Sequence, residues 1–92
     1  MSISLFDKFD PRNPDYLQGL ANFEESKQNI QNAISVRNKI SSTDPWNADN
    51  YLKLLKLYKQ SGDLVNANAM KNKILNFAPN TDIAEAASEA LG

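Results

Sequence analysis

Two carboxylate pairs, Glu24–Glu25 and Asp7/Asp10, come nearest to an acid–base site in this chain. Such pairs work when an apolar pocket holds one carboxyl protonated beside an ionised partner. Adjacent residues on a helix point apart, so Glu24 and Glu25 cannot act together on one substrate. The chain has no histidine, which removes the usual base near neutral pH and the commonest metal ligand. It has no cysteine, so no thiolate can attack a substrate or hold a metal, and no disulfide staples the fold. Gly19, Gly62 and Gly92 are isolated, so no glycine-rich loop cradles a phosphate. These residue types predict no catalytic centre, no metal site and no cofactor: the expectation is a non-enzyme.

Charge is the other chemistry available. Lys53, Lys56 and Lys59 run at i, i+3, i+6. Residues 48–78 carry five lysines and two aspartates, a net +3, while residues 80–92 carry Asp82, Glu85 and Glu89, a net −3. The whole chain stands at −1, so there is no overall basic field for nucleic acid. A single-strand binder would interleave aromatics with its lysines, whereas these tyrosines fall on the apolar stripe. The lysine row reads first as a solvated helix face. A sharper expectation is self-association, acidic end to basic middle, giving salt-sensitive dimers. Trp46, the one tryptophan, sits in a loop and is expected to pack over a helix junction as a hydrophobic staple does. Its other reading is a binding anchor.

Ninety-two residues make one small domain, which buries only about 60–65% of its unfolded surface. An apolar content of 41% is enough to fold. Apolar runs are a few residues long, so direct membrane insertion is not expected. "MSISLFDKFD" lacks a basic start and a long apolar core, so it does not read as a signal peptide. A cytoplasmic setting is the default expectation.

The elements that must carry these residues are set by a repeat. "DPRNPD" at 10–15 returns as "DPWNAD" at 44–49. Aligning 11–44 with 45–78 gives nine identities in 34 positions without a gap, among them Pro11/Pro45, Asn13/Asn47, Leu20/Leu54, Ala33/Ala67 and Ile40/Ile74. The next step lands on Pro79. Within a unit, Tyr51, Leu54, Leu55 and Tyr58 fall at i, i+3, i+4, i+7, one face of a helix. "QSGD" breaks it, with Gly62 suited to the left-handed turn. Leu64, Ala67, Lys71, Ile74, Leu75 and Ala78 continue the rhythm as a second helix. In the first unit, Leu17, Leu20 and Ala21 match the first helix, and Ile30, Ala33, Ile34, Arg37 and Ile40 the second. A final helix is predicted over 81–91, capped by Thr81 or Asp82, with Ile83, Ala87, Ala90 and Leu91 as a weak apolar stripe. Glu85, Ser88 and Glu89 fall on its outer side. No segment alternates with period two, so no strands are expected.

At these residues the chain resembles the tetratricopeptide repeat family, which repeats a helix–turn–helix every 34 residues. The second unit supplies Tyr51, Leu54, Tyr58, Gly62, Ala67, Ile74 and Pro79 in the pattern's places. The first supplies Leu17, Leu20, Ala33, Ile40 and Pro45, but has Glu24 for the tyrosine and Gln28 for the turn glycine. A non-glycine there costs roughly 1 kcal/mol. The resemblance implies an all-α fold, its 34-residue units stacked as a short right-handed α-solenoid. The units are repeat 1 at 11–44, repeat 2 at 45–78 and a cap helix at 81–91. Residues 2–9 are expected to be the remnant of a preceding helix, since Phe6 lies 34 before Ile40, as if the chain belonged to a longer array.

The resemblance also implies a function. First helices of such units line a concave groove, which places Asp15, Gln18, Asn22 and Glu25 on it from repeat 1, and Asp49, Leu52, Lys56 and Lys59 from repeat 2. The expected partner is a protein or peptide. The lysine–asparagine set with which some members grip a terminal carboxylate is not reproduced: Asn22 fits, but Gln18 and Lys53 stand in other residues' places. A second expectation is a regulatory tail of a larger enzyme, since the chain also weakly resembles repeat tails of bacterial membrane-bound polysaccharide ligases. Two units lie near the lower limit for a stable array, so stability is expected to be marginal or aided by self-association.

Overall fold

In a computed structural model that describes residues 13–91, every regular element is a helix. There are five in the described residues: α1 Pro14–Ser26, α2 Ile30–Thr43, α3 Ala48–Ser61, α4 Leu64–Phe77 and α5 Asp82–Leu91. The expected helical remnant at 2–9, with Phe6, lies outside the described residues, as do Asp7, Asp10, Pro11 and Arg12. Helix starts recur at one spacing. α3 begins 34 residues after α1 and α5 begins 34 after α3, while α2 and α4 share both bounds at that offset.

The caps explain why. Asn13 Oδ1 accepts from the backbone N–H of Asp15 at 2.8 Å and of Tyr16 at 3.4 Å. Asn47 Oδ1 accepts from Asn50 N–H at 3.0 Å, and Thr81 Oγ1 from Ala84 N–H at 3.1 Å. Each side chain satisfies an N–H that a helix start leaves without a partner. Of the two candidates for the last cap, Thr81 takes the role. Asp63 caps α4 through Asn66 N–H at 3.1 Å. α2 is the exception, because its Asn29 makes no side-chain cap bond.

The turns within the pairs repeat as well. Gly62 holds φ +87°, its N–H reaching Lys59 O at 3.1 Å while Asp63 N–H reaches Tyr58 O at 2.8 Å. Gln28, at the same place in the first pair, holds φ +60°. Its N–H reaches Glu25 O at 3.0 Å, and Asn29 N–H reaches Glu24 O at 2.9 Å. Both turns are Schellman motifs, in which a left-handed residue lets two chain N–H groups close on the helix's last carbonyls. Gln28 thus adopts the backbone that glycine adopts in the other unit. Glu24, standing where the pattern has tyrosine, accepts a bond from Asn29 Nδ2 at 2.9 Å across this turn.

The chain divides into two compact units, Met1–Pro45 and Trp46–Gly92. In the first, α1 packs on α2 around Leu17, Ala21, Val36 and Ile40, with Tyr16 and Leu20 at the margin. In the second, α3 packs on α4, and α5 packs on both. Its buried residues include Tyr51, Leu54, Leu55, Ala67, Met70 and Ile74. Positions 17/51, 21/55, 33/67, 36/70 and 40/74 are buried in both units, so the core repeats with the caps. Ala33 and Ala67 are fully buried, where a larger side chain would hold the paired helices apart. Of the stripe predicted for α5, Ala87 is buried and Ile83, Ala90 and Leu91 are half-buried, while Ala84, outside that stripe, is buried as well; Glu85, Ser88 and Glu89 are exposed, as its sequence predicts. Those three positions correspond to Tyr51, Leu54 and Leu55, which are buried in α3.

Candidate functional site

The eight residues predicted to line a groove fare differently in the two units. On α1, Gln18, Asn22 and Glu25 fall at i, i+4, i+7 and form one stripe. All three accept hydrogen bonds from one side chain of α2, Arg37. Its Nε donates to Glu25 Oε2 at 2.5 Å, one Nη to Gln18 Oε1 at 3.1 Å and the other Nη to Asn22 Oδ1 at 3.1 Å. Arg37 is 0% exposed, and Glu25 is 27% exposed. The planar guanidinium fork presents its donors in one plane, which suits three acceptors spread along two turns. No buried side-chain nitrogen or oxygen among the described residues lacks a partner. Burying a charge is tolerable only under such conditions. Asp15, at the start of the stripe, stays exposed.

Sequence reasoning placed Arg37 on the buried stripe of α2 without assigning it a role. The available signal was an arginine on an apolar face opposite three acceptors at i, i+4, i+7 of the preceding helix. In the structure this pairing directs Gln18, Asn22 and Glu25 to an internal partner.

Thirty-four residues on, nothing equivalent can form. Leu52, Lys56 and Lys59 occupy the three acceptor positions, and Lys71 that of Arg37. Leu52 is only 9% exposed. Lys56, Lys59 and Asp49 are exposed, and Lys53 is half-buried. Lys59 Nζ donates to the carbonyl of Ala90 at 2.5 Å. A cation there meets the negative end of the α5 dipole, which has no basic residue of its own in the last turn. Lys73 Nζ lies 5.7 Å from the Tyr51 ring centroid, a cation–π arrangement. Among the described residues the ion pair is Arg37–Glu25; Lys53 and Lys56 make none. On the outer surface of α3, Lys56 is thus exposed and Lys53 is half-buried beside it, while Lys59 is held on the Ala90 carbonyl.

Trp46 is 73% exposed, against the expectation that it packs over the junction. It precedes the N-cap of α3 and touches Phe77 edge-on, ring centroids 5.5 Å apart. Tyr51, in the place a staple would use, meets the same Phe77 ring at 5.7 Å. The staple is therefore relayed through Phe77, and most of the indole faces water.

An open groove runs where α4 meets α5, lined by Leu75, Pro79, Asp82, Glu85 and Ser88 among others. Its apolar floor is short and its rim is acidic. No group of three or more carboxylates among the described residues converges as a metal site would. No helix among the described residues is long and apolar enough to cross a membrane. Comparison with protein-family models, with curated proteins and with solved structures finds no match for this chain.

Proposed function

We propose that this chain is a non-enzymatic, tetratricopeptide-like interaction module that docks a protein or peptide through its second unit. The partner it suits is a segment bearing carboxylates. One observation carries the reading: in the first unit Gln18, Asn22 and Glu25 share an internal partner in Arg37, whereas Lys56, at the position of Asn22 in the second unit, has none among the described residues. Arg37 occupies the acceptors of Gln18, Asn22 and Glu25, whereas Lys56 projects into water and Lys53 stands beside it without an ion pair. Such a row attracts an acidic segment and steers its approach, and exposed charges set on-rate and salt dependence more than raw affinity.

The tetratricopeptide likeness is supported by the 34-residue recurrence of helix bounds, caps and left-handed turns. Stacking of the units as a right-handed solenoid, with first helices lining a groove, is part of the same proposal. The non-enzymatic part is supported by residue types, since neither histidine nor cysteine is present.

Calorimetric titration with a glutamate-rich helical peptide tests this reading. Wild type is expected to bind weakly and to lose binding as salt rises. Lys53→Glu/Lys56→Glu is expected to weaken it at least about tenfold, or 1.4 kcal/mol. Lys59 is left in place because it holds the Ala90 carbonyl. Equal binding by wild type and the double variant would refute the assignment of the face.

A further inference from the structure

Resting on the reading of α3 as a docking face, we infer that its partner is the acidic outer face of α5 from a second copy of this chain. Both halves of the contact are present in one molecule. α5 carries Asp82, Glu85 and Glu89, and residues 80–92 contain no cation. All three are exposed, and none makes an ion pair among the described residues. Glu85 and Glu89 stand at i, i+4, where like charges disfavour a helix. A cationic neighbour relieves this arrangement, and Lys59, on the Ala90 carbonyl, makes no ion pair with either glutamate.

The face is also unpartnered by register. Positions 85, 88 and 89 correspond to Tyr51, Leu54 and Leu55, which are buried in α3. On α5, Glu85 and Ser88 of this face wall the open groove beside Leu75 and Pro79. A lysine-bearing helix is the complement it calls for. Lys53 and Lys56 stand about 4.5 Å apart along α3, and Glu85 and Glu89 about 6 Å apart along α5. The two pairs oppose in sign at similar spacing. Lys53 and Lys56 remain free of ion pairs, and Lys59, on the carbonyl of Ala90, ends the row.

Such a contact is heterologous: each copy uses one face to give and a different face to receive. It closes as a dimer where a two-fold axis pairs both faces at once, and otherwise continues to larger assemblies.

Sedimentation equilibrium of the full chain tests this. At about 10 mM ionic strength, where the screening length is about 30 Å, the weight-average mass is expected to rise steadily with concentration. At about 1 M salt, where it is about 3 Å, the chain is expected to be monomeric. Glu85→Lys/Glu89→Lys and Lys53→Glu/Lys56→Glu, with circular dichroism confirming their helicity, are each expected to lose association. Their equimolar mixture is expected to regain it, because α5 of one then opposes α3 of the other. Association that ignores salt, or that survives in either variant alone, overturns the inference. So does a wild-type monomer at low salt. In that last case the glutamate-rich peptide separates two failures. Lysine-dependent binding of the peptide leaves the docking face standing without the self-contact, and its absence removes both.

Discussion

Arg37 of α2 is fully buried and pairs with Glu25 of α1 at 2.5 Å, yet 34 residues later the same two positions hold Lys71 and Lys59. A cation and an anion in one unit become two cations in the next. The first unit is fastened across its helices by a polar network that the second does not repeat. This difference is set on a backbone that otherwise repeats, and the proposed docking face rests on it.

Arg37→Ala is expected to destabilise the protein by about 3 kcal/mol or more in denaturant titration. The loss leaves Glu25 without its cation and opens a void in the first unit. Arg37→Lys is expected to recover little, since one ammonium cannot reach three acceptors spaced over two turns. Full recovery by lysine would show that charge alone matters there.

The two left-handed turns predict opposite signs. Gln28→Gly is expected to raise stability by up to about 1 kcal/mol, because φ +60° strains a residue with a Cβ. Gly62→Ala is expected to lower it by a similar amount: a Cβ would meet nothing within 4 Å, but φ +87° disfavours it. Thermal unfolding of the two variants side by side checks the pair. A shift of the same sign in both would contradict the equivalence of the turns.

These turns show what the sequence makes legible. Proline and asparagine recur because the joints between helices admit few residue types, so their spacing betrays helix bounds directly. Gln28 would have escaped notice alone; its counterpart Gly62 exposes it. Arg37 is the opposite case. Its type belongs to the surface, and its burial follows from three acceptors on another helix that no local pattern joins to it. Trp46 was misjudged for a related reason. A large ring before a helix start finds cover only if neighbours surround it, and here Phe77 offers one edge.

Cap removal is expected to be additive and modest. Asn47→Ala and Thr81→Ala should each cost about 1 kcal/mol, the usual loss when a capping side chain is truncated. Asn29→Ala, at the one helix start without a side-chain cap bond, should cost less of this kind, though it gives up the bond to Glu24. Urea unfolding of the three variants compares them.

Trp46→Ala is expected to change stability by about 1 kcal/mol or less, the worth of one edge-on aromatic contact at an exposed ring. A loss of 3 kcal/mol would mean that the indole supports the second unit beyond its contact with Phe77.

The account rests most heavily on the claim that the second unit, not the first, presents the docking face. The direct measurement is a residue-resolved amide NMR titration of the full chain with the glutamate-rich peptide at low salt. Shifts are expected to gather on α3 around Lys53 and Lys56, with Gln18, Asn22 and Glu25, bonded to the buried Arg37, quiet. Shifts centred on α1, or none on α3, would contradict that claim.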